Sequence, residues 1–273
     1  VNAQSIEEAT MTLQTDAPFV LRTDDERGVT TLTLNRPAAF NALSEGLLTA
    51  LQNELNDLAK SSKLRVLVIA AAGKAFCAGH DLREMRAEPS MDYYQKLFAQ
   101  CGEMMMSIQK LQVPVIAKVQ GIATAAGCQL VAQCDLAVAS SEAKFAVSGV
   151  NLGLFCSTPS VALSRNLSRK AAFEMLVTGD FMNAQEALHQ GLINKIAEPH
   201  ELDASVEALV TKILAKPPVA LAMGKELFYM QLETGIEKAY EYASQIMACN
   251  MMDASALEGV QAFIEKRKPN WKV

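Results

Sequence analysis

Histidine is scarce in this 273-residue chain, with three (His80, His189 and His200), and no Cys-x-x-C pair or Cys/His cluster has metal-ligand spacing. No metal is therefore expected. The six cysteines are scattered, several inside apolar segments, which fits buried thiols in a reducing compartment better than a disulfide framework. Basic excess is missing too. With 25 Lys and Arg against 30 Asp and Glu, the net charge is -5, which argues against nucleic acid as a partner. No apolar run approaches the roughly 18–20 residues of a membrane span. Low-complexity tracts and interdomain linkers are likewise absent. What remains is length enough for a large core, as one domain with an appendage.

Small residues are concentrated at two strand exits. Pro114–Val119 reads as a strand that turns at Gln120-Gly121 into Ala123-Thr124-Ala125-Ala126-Gly127, with a short helix over 127–134. Such residues let a ligand approach the backbone closely. The N–H groups of a first helical turn lack intrahelical partners and favour negative charge, as on a polarised thioester carbonyl. A tightly packed strand–helix corner without chemistry would read the same way. The second exit, Gly73 to Asp81, follows a strand over Arg65–Ala70.

Elsewhere, Val29–Leu34 alternates as a strand and Asn35-Arg36-Pro37 breaks it. Ser44 can cap a helix whose face carries Leu47, Leu48, Leu51, Leu55 and Leu58. Asp81 can cap a short helix through Arg86, and Tyr94 to Leu111 step as a long amphipathic helix. Strands are expected at Leu136–Ala139, Lys144–Ala146 and Lys195–Ala197, and helices over 218–233, 235–252 and 255–267. Strands alternating with helices give an α/β class with a helical tail. The chain divides into a polar arm (1–17), an α/β core (18–205) and a helical region (206–273). The arm holds Glu7, Glu8 and Asp16 and no Arg, unlike a transit peptide; the start at Val1 fits a processed terminus, and Trp271-Lys272-Val273 is no peroxisomal signal.

Taken together, Asn35-Arg36-Pro37 with Asn41-Ala42-Leu43, Lys74-Ala75-Phe76-Cys77-Ala78-Gly79-His80-Asp81-Leu82, Gly121-Ile122-Ala123, Gly127-Cys128-Gln129-Leu130, Cys134-Asp135-Leu136, Val150-Asn151-Leu152-Gly153 and Phe263–Lys268 resemble the crotonase (enoyl-CoA hydratase/isomerase) superfamily. The resemblance covers Pro18 to Trp271 and points to a mitochondrial type. It implies a ββα spiral core, C-terminal helices that build homotrimers or hexamers, and an acyl-CoA thioester as ligand with no further cofactor. It also implies an oxyanion hole made of the backbone N–H groups of His80 and Ala126. Arg36, Lys74, Ala75, Phe76 and Ala78 would contact CoA, with Phe263 and Lys266 reaching it from a neighbouring subunit.

The same resemblance exposes a departure. Family hydratases use two glutamates, and the matching positions here are Gln129 and Gly149. An amide can orient water but takes no proton at neutral pH, and glycine has no side chain. Acid–base groups contribute about 10²–10⁴ each in rate, without multiplying when they act as a unit. Weak or absent hydratase activity is expected, with restoration by Gln129→Glu and Gly149→Glu as the check. Ser148, Cys156 and Ser157 flank the second position without an evident activator. His80 has the chemistry of a titrating group. Asp81 and Glu84 read as capping groups, and His189 and His200 as surface residues. The leading expectation is an acyl-CoA binder of mitochondrial fatty-acid metabolism, a pseudoenzyme or sensor. The alternatives are an active enzyme of other chemistry (decarboxylase, isomerase or thioesterase), a hydratase with a different acid–base group, and an RNA-binding or scaffolding protein.

Overall fold

The computed structural model describes residues 17–87 and 89–271, so the arm expected over 1–17 lies, but for its last residue, outside the described residues. An antiparallel pair opens the fold, β1 (Val20–Asp24) against β2 (Val29–Leu34), with Val20 opposite Leu34. Only Val20 of β1 is buried, so this edge strand carries no apolar signal and is held by its ladder. Helix α1 (Glu45–Leu58) follows. The Ser44 hydroxyl accepts a hydrogen bond from the Leu47 N–H at 3.1 Å, and the five leucines of the apolar face are all buried.

Three repeats come next, each a strand in a large sheet, a strand in a small sheet and then helix. The first is β3 (Val66–Ala71), β4 (Ala75–Cys77), α2 (Leu82–Ala87) and α3 (Met91–Lys110). The second is β5 (Val115–Val119), β6 (Ile122–Thr124) and α4 (Ala126–Gln133). The third is β7 (Leu136–Ser140), β8 (Lys144–Ala146), a 3-10 turn (Ser148–Leu152) and α5 (Ser157–Asn166). Helix α6 (Arg169–Thr178), β9 (Met182–Asn183), α7 (Ala184–Gln190) and β10 (Lys195–Ala197) complete the two sheets. The large one runs β1-β2-β3-β5-β7-β10 and the small one β4-β6-β8-β9. Pairing is parallel except at β1–β2 and β8–β9.

The large sheet is covered on both faces, which is why its strands read as continuous apolar runs. Leu67 and Ile69 of β3 enter the main core with the α1 leucines. Val66 and Val68 enter a second cluster with Leu202, Val206 and Val210 of helix α8 (Leu202–Leu214). Helix α8 therefore runs through the expected 205/206 boundary while packed on the sheet, and the helices that leave the sheet begin with α9.

These are α9 (Pro218–Leu232), α10 (Ile236–Met251) and α11 (Ala254–Ile264). One polar knot ties α9 to the core. Lys225 Nζ donates to Asp135 Oδ2 at 2.7 Å and to the carbonyls of Val113 and Ile108 at 2.9 and 3.1 Å, while the Tyr229 hydroxyl donates to Asp135 Oδ1 at 2.6 Å. Burial pulls the Lys225 ammonium down from its ordinary pKa, and Asp135 opposes the shift.

Candidate functional site

Because β4, β6 and β8 pair in parallel, their carboxyl ends share one edge of the small sheet. The segments that leave them (78–81, 125–126 and 148–149) therefore converge. Glycines set the separations. Gly79 has φ of 90°, and a Cβ there would lie 2.8 Å from Ala125 Cβ and 3.3 Å from Ala126 N. At Gly127 an added Cβ would meet the Cys77 carbonyl oxygen at 2.1 Å, so α4 starts hard against the end of β4. The Thr124 hydroxyl closes the junction by donating to the Ala78 carbonyl at 3.0 Å.

A cavity of ≈ 370 Å³ opens there, lined among others by Ala78, His80, Ala126, Ser148, Gly149 and Cys156. Leu43 takes the Gly79 carbonyl through its N–H at 2.7 Å and offers its own carbonyl to the Asp81 N–H at 3.3 Å. His80, between those two, turns its own N–H away from Leu43. Neither that N–H nor the one at Ala126, the first residue of α4, has an acceptor among the described residues. Ala125, which aims Ala126, sits at φ 49° and ψ -121°. A non-glycine residue in that region stores on the order of 1–3 kcal/mol of strain. Ala125→Gly is accordingly expected to raise stability by about 0.5–1 kcal/mol, visible as a later denaturant midpoint at an unchanged slope.

The imidazole of His80 packs edge-on against Phe98, ring centroids 5.4 Å apart, and neither ring nitrogen has a hydrogen-bond partner among the described residues. Burial pushes its pKa down, opposed by the nearby Leu43 backbone, so the ring is neutral at pH 7. Gln129 lies one turn along α4, 5% exposed, with Oε1 buried and unpartnered, and it does not line the cavity. At Gly149 an added Cβ would sit 2.5 Å from the Leu154 carbonyl oxygen and 2.7 Å from Cys156 Sγ. The sulfur fills the space where a side chain at 149 would begin. Burial raises the Cys156 thiol above its ordinary pKa, opposed by the Gly149 backbone.

The expected CoA residues divide by accessibility. Lys74 is exposed, and Ala78 is exposed and lines the cavity. Ala75 and Phe76 lie in β4 with buried side chains, so this stretch is a strand and not the loop its small residues imply. Three residues paired into a sheet leave too short an alternation to read. Arg36 is committed internally, donating to the Ala42 carbonyl at 2.6 Å and to Asp81 Oδ2 at 3.1 Å. Burial would raise the Asp81 pKa, but Arg36 and the Arg83 and Glu84 amides hold it below the usual range. Glu84 accepts from the Glu45 N–H at 3.0 Å, capping α1 rather than its own helix. Phe263 is 85% exposed on α11. Lys266 does not share that helix. It lies beyond Ile264 at φ 54°, because α11 ends earlier than its apolar spacing implies. His189 and His200 are exposed and away from the cavity.

Two residues that the sequence marks only as a motif and a turn position turn out to be supports of the site. Asn41 is fully buried, donating to the Ala72 and Ala75 carbonyls at 2.8 and 2.9 Å and accepting from the Arg36 N–H. Gln120 Nε2 donates to the carbonyls of Ala71, Gly73 and Ala75. Buried carbonyls at a strand break demand such donors, and only the fold reveals which carbonyls they are.

The spiral of repeats and the pocket at its strand ends define a class. Residues 24–273 match the model of the enoyl-CoA hydratase/isomerase family, and the chain belongs to that family, with the mixed α/β crotonase fold and a helical C-terminal region. Within it, the chain is 45% identical over 254 residues to mouse (Mus musculus) "Enoyl-CoA hydratase domain-containing protein 3, mitochondrial", covering 93% of this chain and 85% of that one. The short-chain-enoyl-CoA hydratase of Clostridium acetobutylicum is 31% identical, over 90% and 94% of the two chains. Among solved structures, an enoyl-CoA hydratase of Mycobacterium smegmatis superposes with a TM-score of 0.93 at 64% identity, covering 94% of this chain and all of that one. Human enoyl Coenzyme A hydratase domain-containing protein 3 gives 0.89 at 44%, covering 93% and 100%.

Proposed function

We propose that this chain binds acyl-CoA thioesters and polarises their carbonyl through the backbone N–H groups of His80 and Ala126, with little or no ordinary enoyl-CoA hydration. One observation carries the reading: a cavity with two acceptor-less amides on its wall and, among the described residues, no carboxylate in its lining. Such donors are worth a few kcal/mol each toward a developing enolate. Water addition across the double bond also needs proton transfer, for which Gln129 and Gly149 supply no carboxylate. Lys74 and Ala78 are the proposed CoA contacts of this chain, with Arg36 as a brace. Phe263 and Lys266 serve a neighbouring copy in a homotrimer or hexamer. A role in mitochondrial fatty-acid metabolism is proposed on the names of the vertebrate relatives. A relative at 64% identity is bacterial, so the ligand chemistry is the part of this reading independent of compartment.

The test pairs calorimetric titration of crotonyl-CoA with a hydration assay. Binding without turnover is expected. Hydration at rates ordinary for the family would overturn the reading. The unpartnered imidazole of His80 favours one second reading, an acyl-CoA enzyme of other chemistry with His80 moving the proton. Turnover abolished by His80→Gln, with binding retained, would establish it.

A further inference from the structure

The segment that carries the His80 N–H is gripped from two sides. Toward the turn 40–43, the Ala78 N–H donates to the Phe40 carbonyl at 3.0 Å, and the Gly79 carbonyl accepts from the Leu43 N–H at 2.7 Å. The Asp81 N–H closes this ladder on the Leu43 carbonyl at 3.3 Å. Toward β6, the Ala78 carbonyl accepts from the Thr124 hydroxyl. A trans peptide points its C=O and N–H in opposite directions. The bond to the Gly79 carbonyl therefore turns the His80 N–H away from Leu43 and toward the cavity that His80 lines. The turn on which the segment leans holds Phe40 and Asn41 at φ 51° and 54°, conformations that persist only where the surroundings impose them.

Arg36 joins the two segments. Its Nη1 donates to the Ala42 carbonyl of the turn, and its Nη2 to Oδ2 of Asp81, the residue after His80. The guanidinium carbon lies 5.7 Å from the centre of the Phe19 ring, and the Arg36 and Asp81 side chains are 21% and 13% exposed. Asp81 Oδ1 accepts in turn from the Arg83 N–H at 3.1 Å. A planar fork bound at two branches fixes the separation of its two acceptors, which an ammonium cannot do. Neither side chain is among the described residues that line the cavity.

Resting on the acyl-CoA reading above, we infer that Arg36 and Asp81 are positioning residues, whose ion pair locks 78–81 to the turn and so aims the His80 N–H at the thioester carbonyl. Without the pair, the 3.3 Å bond from Asp81 to Leu43 is the first to yield. The peptide between Gly79 and His80 is then free to tilt. The polarising donor is lost while the pocket remains.

The probe is sorboyl-CoA, a conjugated dienoyl thioester whose ultraviolet band moves to longer wavelength as hydrogen bonds draw negative charge onto the thioester oxygen. Read at saturation, the band reports folded, liganded molecules only. Free CoA, which has no thioester carbonyl, is titrated calorimetrically alongside. Arg36→Lys and Asp81→Ala are each expected to lose more than half of the red shift seen with the unsubstituted protein. Each is expected to bind sorboyl-CoA about three- to tenfold more weakly, the worth of one hydrogen bond, and free CoA within about threefold. Glu84→Ala removes the neighbouring bond to the Glu45 N–H without touching the pair, so it is expected to lower stability and keep the shift. A shift unchanged in both Arg36→Lys and Asp81→Ala would overturn the positioning role and leave the CoA reading standing. So would an equal loss in Glu84→Ala, or a loss confined to Arg36→Lys with free-CoA affinity falling beside it, which would make Arg36 a CoA contact. Sorboyl-CoA that fails to bind, or binds the unsubstituted protein without a red shift, would overturn the acyl-CoA reading, and this inference with it.

Discussion

Lys225→Met is expected to destabilise the chain by about 3–5 kcal/mol, a fall of roughly 10 °C in Tm for a domain of this size. The side chain is 7% exposed and gives three donors to three acceptors: Asp135 and the carbonyls of Ile108 and Val113. Methionine keeps the bulk but leaves both carbonyls without that donor and a buried carboxylate without its counter-ion, and such half-networks are worse than none. Asp135 also accepts from the Val115 N–H at 2.7 Å and from Tyr229, so the charge stays fixed where Lys225 leaves it. Burial, followed by the Asp135 carboxylate, already drives the Tyr229 hydroxyl far above its usual pKa, so it can donate but cannot share the negative charge. The double variant Lys225→Met with Asp135→Asn removes the stranded charge, keeps an oxygen acceptor for the Val115 N–H and turns an amide N–H donor toward the Tyr229 oxygen, and it is expected to recover more than half of the loss. A single-variant cost below 1 kcal/mol in a urea titration would mean that water reaches the pair and that the knot does not anchor α9.

The second large effect is a failed rescue. Gln129→Glu combined with Gly149→Glu, the restoration indicated by the sequence alone, is expected to gain less than tenfold in crotonyl-CoA hydration while destabilising the protein by about 1–3 kcal/mol. Position 149 has no room. Its first side-chain carbon would stand 2.5 Å from the Leu154 backbone oxygen, and the 150–156 turn would have to open to admit it. That turn carries Leu152, Leu154 and Cys156 of the cavity lining, so the site deforms as the carboxylate enters. At position 129 the new carboxylate would replace a 5%-exposed amide whose Oε1 already lacks a partner, and burial would hold it protonated near neutral pH. Adding Cys156→Ala removes the Sγ clash but not the clash with the Leu154 carbonyl. Hydration rising by 10³ or more in the double variant, with stability retained, would show that the proposed deficit lies in the two side chains alone.

Much of the large sheet and its helices was legible because both obey strong periodicities. Val29–Leu34 and Lys195–Ala197 fall on the strands read from sequence, and Ser44 caps the helix its leucine row announced. Of the small sheet only β8 was legible, at Lys144–Ala146. β4, β6 and β9 span two or three residues, and parallel partners far away in sequence create them. The site was half visible for a related reason. Small residues at two strand exits marked where backbone and ligand can meet, and the glycine contacts at 79 and 127 give those residues their physical cause. The closure of position 149 by Cys156 was out of reach, since that contact joins two residues across a 3-10 turn. The resemblance names Arg36 as a CoA contact, and only the folded chain shows its guanidinium donating to the Ala42 carbonyl and to Asp81.

The junction at Gly79 has a consequence for how such a protein can diverge. The two donors at the pocket wall are main-chain atoms, and their spacing is fixed by the absence of a side chain at 79 and 127 rather than by what stands at 80 and 126. Substitution at those last two positions leaves the two amides in place, while a side chain at either glycine would force the segments apart. The side chains around the cavity can therefore vary without moving those two N–H groups. A protein whose pocket side chains changed in this way would keep the same two donors for a different reaction.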